Sequence, residues 1–187
     1  MQEKENILRI LEETKEAIKE GDSARIKRLS DQTNNTASMT QDPDNIAVAV
    51  IVYSLSKILD RENYQKLPGW KGFYENYLNS INNIIVSLKK NDDKSARKYL
   101  EDIRKSIERI SGRLKKYIQD VFRKARINKA SKIYEHGISM EQTAGLLGVT
   151  LFELASYAGQ KPEISNAPLG KTVDVKKRIK IAMEMFQ

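Results

Sequence analysis

The chain contains no cysteine and a single histidine, His136. Without thiols there can be no disulfides, no thiolate metal site and no cysteine nucleophile. With one imidazole, a histidine-rich metal site or a Ser-His-Asp hydrolase is not expected either. Glycine and proline are scarce, nine and four in 187 residues, too few turn-formers for an all-β sandwich or barrel. Long apolar runs are missing as well. The longest, Ile46 to Tyr53, falls well short of the roughly 20 residues that a membrane span requires. The opening Met1-Gln2-Glu3-Lys4-Glu5-Asn6 mixes both charge signs and lacks the apolar centre of a signal peptide, so the expected compartment is the cytoplasm, with no membrane partner. Together these absences argue against an enzyme, a cofactor or a metal site.

What is present is an apolar share of 40%, enough for a core, and a charged share of 31%. Lysine and arginine number 33 against 25 aspartates and glutamates, a net charge of +8. The length suits one domain of ordinary size or one with a small module. The basic balance favours polyanions or acidic partners.

Periodicity predicts an all-α fold in three parts: a helical bundle over 1–120, a helix-turn-helix with a leading basic helix over 121–160, and an arm with a terminal amphipathic helix over 161–187. Ile7, Leu8, Leu11, Thr14 and Ile18 follow helical spacing up to Gly21, a natural C-cap. Asp22 and Ser23 can cap a second helix, which runs into the uncharged tract Gln32, Thr33, Asn34, Asn35, Thr36, Ser38, Gln41. That tract is either a hydrogen-bonding surface or is bonded internally beneath the next helix. Asp42-Pro43 restarts the chain. Ile46 to Leu59, apolar almost all round, reads as a buried helix, with a buried strand as the alternative. Trp70, Phe73, Tyr74 and Tyr77 open a further amphipathic helix, as core residues or as a base-stacking platform. Ala96, Leu100, Ile103, Ile107, Ile110, Leu114, Tyr117 and Val121 then form a heptad stripe that packs inside the bundle or across a dimer. If continuous to His136, that helix would be on the order of 60 Å long, with Ser111-Gly112 as its place to bend.

From Ile138 to Tyr157 the residues fit a helix-turn-helix. Ser139 is a fitting N-cap with Gln142 to close a capping box, and Ala144 is small where helices cross. Gly148 occupies the turn, Leu147 and Val149 flank it, Thr150 caps the second helix, and Leu154 and Tyr157 point inward. An αα-hairpin with no nucleic-acid role would share this pattern. The outward positions Leu151, Phe152, Ala155, Ser156 and Gln160 include no Arg, Lys or Asn, the usual readers of base edges. Leu151 and Phe152 would touch thymine methyls or a protein. Positive charge gathers just upstream instead. Arg113, Lys115, Lys116, Arg123, Lys124, Arg126, Lys129 and Lys132 face only Asp120, leaving seven net positive charges within twenty residues. Such a helix would anchor phosphates without reading sequence, or it is simply a solvated face. Reversal of Lys124, Arg126 and Lys129 to Glu is expected to abolish anchoring.

Past Gly159, half of the prolines fall between Gln160 and Gly170, as in an extended arm. Val175, Ile179, Ala182, Met183 and Phe186 then form an apolar stripe with a basic back, suited to docking in a partner's groove, to folding back, or to swapping with a second copy. His136 reads as a helix-terminal residue favoured by the dipole. It lies ten residues after Arg126, too far for the Arg-His spacing of a HEPN-type ribonuclease.

Tyr134-Glu135-His136-Gly137-Ile138-Ser139, the helix-turn-helix after it, Tyr157-Ala158-Gly159-Gln160 and Asp174-Val175-Lys176-Lys177-Arg178-Ile179 resemble small archaeal helix-turn-helix proteins, members of which are paired with PIN-domain nucleases as antitoxins. The resemblance covers roughly the last 60 residues. It implies that 139–160 meet operator DNA and that 162–187 block the nuclease. The apolar outward face of the recognition helix departs from the pattern of a sequence reader. The expected function is a homodimeric DNA-binding regulator of antitoxin type. The alternatives are a protein-interaction scaffold and an RNA- or ribosome-binding protein using the 113–132 helix.

Overall fold

A computed structural model describes residues 1–160 of the chain, apart from the side chains of Asn35 and Gln160. The fold is all-α. Its helices are α1 (Lys4–Glu20), α2 (Ser23–Thr40), α3 (Pro43–Leu59), α4 (Glu62–Gln65), α5 (Trp70–Lys89), α6 (Asp93–Arg109), α7 (Gly112–Glu135), α8 (Met140–Leu147) and α9 (Leu151–Gln160). The arm and the terminal stripe expected over 161–187 lie outside the described residues.

Short polar side chains set the starts. The Asp22, Asp42 and Asp92 carboxylates accept from the backbone N–H of Arg25, Asp44 and Ser95, at 2.7, 3.1 and 3.0 Å. Gly21 ends α1 in the left-handed region at φ 69°, a conformation that costs glycine little. These tight connections fold α1, α2 and α3 back on one another, and α5 and α6 likewise.

α3 is the central element, touching α1, α2, α6 and α7. Its apolar surface is therefore needed on nearly every side, which suits a buried helix and removes the strand alternative. Val48, Val52, Leu55 and Ile58 are essentially inaccessible. The buried Tyr77 hydroxyl donates to the Ile51 carbonyl at 2.8 Å. Phe73 and Tyr77 are core, and Trp70 stacks on Tyr74 at 5.4 Å beside them, so this aromatic set packs the bundle. The uncharged tract is helical. Thr33 is buried and donates to Ser30 O at 2.7 Å, and Asn34 is buried beside it, so much of the tract faces inward.

One long helix was expected from Ala96 to about His136. The structure breaks it into two. Ile110 is extended (φ −80°, ψ 161°), and Gly112 opens α7 at φ 61°. Glycine is a poor helix former, and here it supplies a turn sharper than a bend. The heptad stripe survives the break because both helices return to the same core. Ala96, Leu100, Ile103, Ile107, Leu114, Tyr117 and Val121 are all buried within one molecule. The seam is thus intramolecular.

α7 joins the two halves of the chain. Leu114, Tyr117, Ile118 and Val121 belong to the bundle core. Ala125, Ala130 and Ile133 belong to a second cluster with Ala37, Ile46 and Val50 below and Ala144, Leu147 and Leu154 above. The position at 120 expected as a boundary therefore falls inside a continuous helix.

Candidate nucleic-acid interface

α8, its turn and α9 form a helix-turn-helix seated on the second half of α7. The Ser139 hydroxyl accepts from Gln142 N at 3.2 Å, but the box does not close as expected. The Gln142 side chain donates instead to Gln41 Oε1 at 2.6 Å, tying α8 to the end of α2. At the turn, Gly148 has φ 60° and ψ 41°, and Val149 N–H returns to Ala144 O at 3.1 Å. The Arg126 guanidinium donates to Gly148 O at 3.1 Å, so α7 clamps the turn directly.

α9 begins with a complete capping box. Glu153 N–H donates to the Thr150 hydroxyl at 3.1 Å, and Thr150 N–H donates to the Glu153 carboxylate at 3.0 Å. Hydrogen bonds from Thr150, backbone first, hold the Glu153 carboxyl below its ordinary value, and Arg123 adds to this. Leu154 is fully buried, and Asn128 Nδ2 donates to the Tyr157 hydroxyl at 3.0 Å. That geometry fixes which side of α9 faces out. Phe152 is 80% exposed and Leu151 46%, with Ala155 and Gly159 exposed on the same arc. Ser156 is half-buried, and the side chain of Gln160 lies outside the described set.

The eight cations of the 113–132 stretch do not form one face. Lys129 is the clearest correction. Its side chain is 1% exposed, its ammonium donates to Asp31 at 2.9 Å and to Ser30 O at 3.2 Å, and it lies 4.9 Å from the centre of the Tyr53 ring. A lysine enclosed this way joins α7 to α2 and cannot reach a phosphate. Arg126 is occupied at the turn. Lys132 pairs with Glu135 at 3.1 Å, and Lys115 donates to Glu108 O at 3.1 Å. Arg113 and Lys116 are exposed and make no ion pair among the described residues, but they precede Arg123 by about two to three turns, or roughly 10–15 Å along the axis.

Arg123 and Lys124 are the two that line a cleft against α9. Arg123 bridges Glu153 at 3.3 Å and Asp120 at 3.6 Å, and Lys124 pairs with Asp120 at 2.8 Å. The cleft, of about 650 Å³, lies between α3, α7 and α9. The opposite wall is formed by Tyr53, Lys57 and Arg61, residues that no motif marked. Lys57 lies in the last turn of the otherwise apolar α3 and Arg61 just beyond its end, and that sharp change of character was their only trace in the sequence. Arg61 lies 6.0 Å from the Tyr117 ring, and Lys57 lies 3.5 Å from Asp60. Burial, with help from Tyr157, Asp31 and Asp60, pushes the Tyr53 hydroxyl up to about 12, so it remains a donor.

A second, more apolar groove of about 700 Å³ runs between α3, α6, α7 and α8, past Ile46, Val50, Leu100, Ile107, Phe122 and Leu146. The expected partner residues Val175, Ile179, Ala182, Met183 and Phe186 lie outside the described residues. Among the described residues, no helix is long and apolar enough to cross a membrane. No known protein family, curated protein or solved structure matches this chain.

Proposed function

We propose that this chain is a non-enzymatic DNA-binding regulator that presents α9 to the major groove and anchors the backbone with cations beside it. One observation carries the reading. The helix-turn-helix is complete, with Leu154 inward and Leu151, Phe152 and Ala155 outward, and the outward face adjoins a cleft lined by Lys57, Arg61, Arg123 and Lys124. The anchoring set differs from the one expected at first. Lys57 and Arg61 enter it, while Lys129 and Arg126 leave it as structural residues.

The test is binding of the full chain to a labelled mixed-sequence duplex across a range of salt. The triple variant Lys57→Glu, Arg61→Glu, Lys124→Glu changes only side chains at the surface or half-buried. It should weaken binding at least tenfold and flatten the salt dependence by about one unit of slope per lost phosphate contact. Unchanged affinity and slope would sink the proposal. Tighter binding to a structured RNA of equal length would move it to RNA.

Dimerisation belongs to the same proposal, since helix-turn-helix readers commonly engage paired half-sites. Sedimentation of the chain with and without duplex tests it. The finer reading, an antitoxin whose residues 162–187 block a PIN-domain nuclease, is supported by the resemblance alone. Co-purification with such a nuclease, lost on truncation after Gln160, tests that part. An interaction scaffold is the second reading. The exposed Leu151–Phe152 pair and the apolar groove beside α8 favour it, and stable capture of a protein with no shift of any duplex would select it.

A further inference from the structure

We infer that α9 selects thymine-containing duplexes by covering the C5-methyl groups of the major groove with Leu151 and Phe152, an inference that rests on the DNA-binding reading above. The outward arc of α9 is Leu151, Phe152, Ala155 and Gly159, and none of these side chains can donate or accept a hydrogen bond. Every base edge in the major groove offers polar atoms except at one place. Guanine shows two acceptors, adenine an acceptor and a donor, and cytosine a donor, whereas thymine adds a methyl group. A hydrocarbon ridge laid on a polar edge strips its water and returns no hydrogen bond, which is unfavourable. Laid on a thymine methyl, the same ridge buries apolar surface on both partners. Discrimination therefore arises as much from rejection of the other edges as from attraction to thymine.

The placement of charge makes DNA, not a second protein, the occupant of this face. Phe152 itself lines the cleft that holds Lys57, Arg61, Arg123 and Lys124. Of the two carboxylates there, Glu153 is held by Thr150 in the capping box and by Arg123, and Asp120 by Lys124 and Arg123, so the four cations leave the cleft two positive charges in excess. An apolar ridge flanked by cations complements a methyl-bearing groove flanked by phosphates. Ala155 and Gly159, one and two turns on from Leu151, add no bulk and let the helix come close to the groove floor.

The experiment uses the full chain and four duplexes of equal length. The first is rich in thymine, and the second replaces each thymine by deoxyuridine, which lacks only the methyl. The third is rich in guanine and cytosine, and the fourth carries 5-methylcytosine in place of its cytosines. Loss of a buried methyl should weaken binding about fourfold per contact, so the thymine duplex should be bound roughly tenfold or more tightly than its uracil counterpart. The 5-methylcytosine duplex should be bound more tightly than the unmethylated one. Phe152→Ser, at a position too exposed to disturb folding, should narrow the gap between the thymine and uracil duplexes, and Leu151→Ser with Phe152→Ser should close it.

Equal, salt-dependent affinity for the thymine and uracil duplexes would overturn the methyl reading and leave DNA binding standing. No salt-dependent binding to any duplex would remove the DNA reading as well. A self-association lost in Phe152→Ser, together with equal thymine and uracil affinities, would assign the ridge to a second copy and overturn the inference.

Discussion

The cluster that unites α1, α2, α3, α5 and α6 with the first half of α7 is built mainly of isoleucine, leucine and aromatic rings, whereas the cluster under α8 and α9 has alanine at four of its nine buried positions. Large side chains make many dispersion contacts and bury much area each, so the first region holds by apolar burial. Alanines let helices approach closely but bury little. The second region makes up part of the difference with polar links between elements. These are Lys129 to Asp31, Arg126 to the turn carbonyl, Arg123 to Glu153, Asn128 to Tyr157 and Gln142 to Gln41. Such links fix orientation more than they add stability, because most lie where water competes for them. The lesson is a division of labour: a strong apolar frame, and a helix-turn-helix head held in one pose by weaker, directional ties. Local opening with the frame intact is the natural consequence.

The severest way to break that comparison is to reverse the one link that is buried. Lys129→Glu places a carboxylate in a site 1% exposed to solvent, beside Asp31 and the Ser30 carbonyl. Destabilisation of about 4 kcal/mol is expected, in the range seen when a buried ion pair is broken. Urea denaturation followed by circular dichroism measures it. A midpoint close to that of the native chain would show that α7 leans on α2 through apolar contacts alone. It also follows that loss of DNA binding in any variant containing this substitution reports on folding, not on phosphate contact.

Lys129 illustrates what the sequence could and could not disclose. The cap at Asp22, the restart at Asp42-Pro43, the stop at Gly21 and the turn at Gly148 were readable because each acts on backbone within a few residues. The heptad stripe identified the core side of α6 and α7, since periodicity records which face is buried. It did not reveal the interruption at Ile110, because a stripe continues across a break whenever both helices return to the same core. The fate of Lys129 depends on Asp31, 98 residues earlier, and nothing local to a lysine in a basic run announces burial. Lys57 and Arg61 were overlooked for the converse reason: only the packing of α3 beside α7 and α9 gives them a place in the cleft. The inward and outward sides of α9 were legible from Leu154 and Tyr157, and that is the part of the candidate site on which the functional reading depends.

A smaller effect sharpens the contrast between frame and head. Ile103 in the first cluster and Leu154 in the second are both fully buried. Truncation of either to alanine should cost about 3 kcal/mol at its own site. The two losses should be felt differently. Ile103→Ala is expected to lower the global unfolding midpoint and speed amide exchange in every helix that shares the frame. Leu154→Ala should speed exchange in α8 and α9 selectively, with a smaller shift of the global midpoint. Identical exchange patterns in the two variants would show that frame and head open as one cooperative unit.

The finest test is a titration, and its sign follows from burial. Burial holds the Lys129 ammonium below the ordinary lysine value of 10.5, with Lys132 and Lys27 acting in the same direction and Asp31 opposing them. A base with a lower pKa folded than unfolded binds fewer protons in the folded state, so stability rises as pH climbs through the folded value towards 10.5. Tyr53, over whose ring the same ammonium lies, works the other way. It stays protonated up to about 12 when folded but ionises near 10 when unfolded, so its contribution is lost above 10. The window for Lys129 is therefore the alkaline side of neutrality, below 10. As pH rises from neutrality towards 10, the native chain should gain stability relative to Lys129→Met, in which the tyrosine is unchanged and the titrating ammonium is gone. The gain is small because Asp31 offsets part of the burial. A difference in urea midpoints that stays flat across this range, or that shrinks, would mean that Asp31 fully compensates the enclosed charge, and the head would then be held by that ion pair as firmly as the frame is by its apolar core.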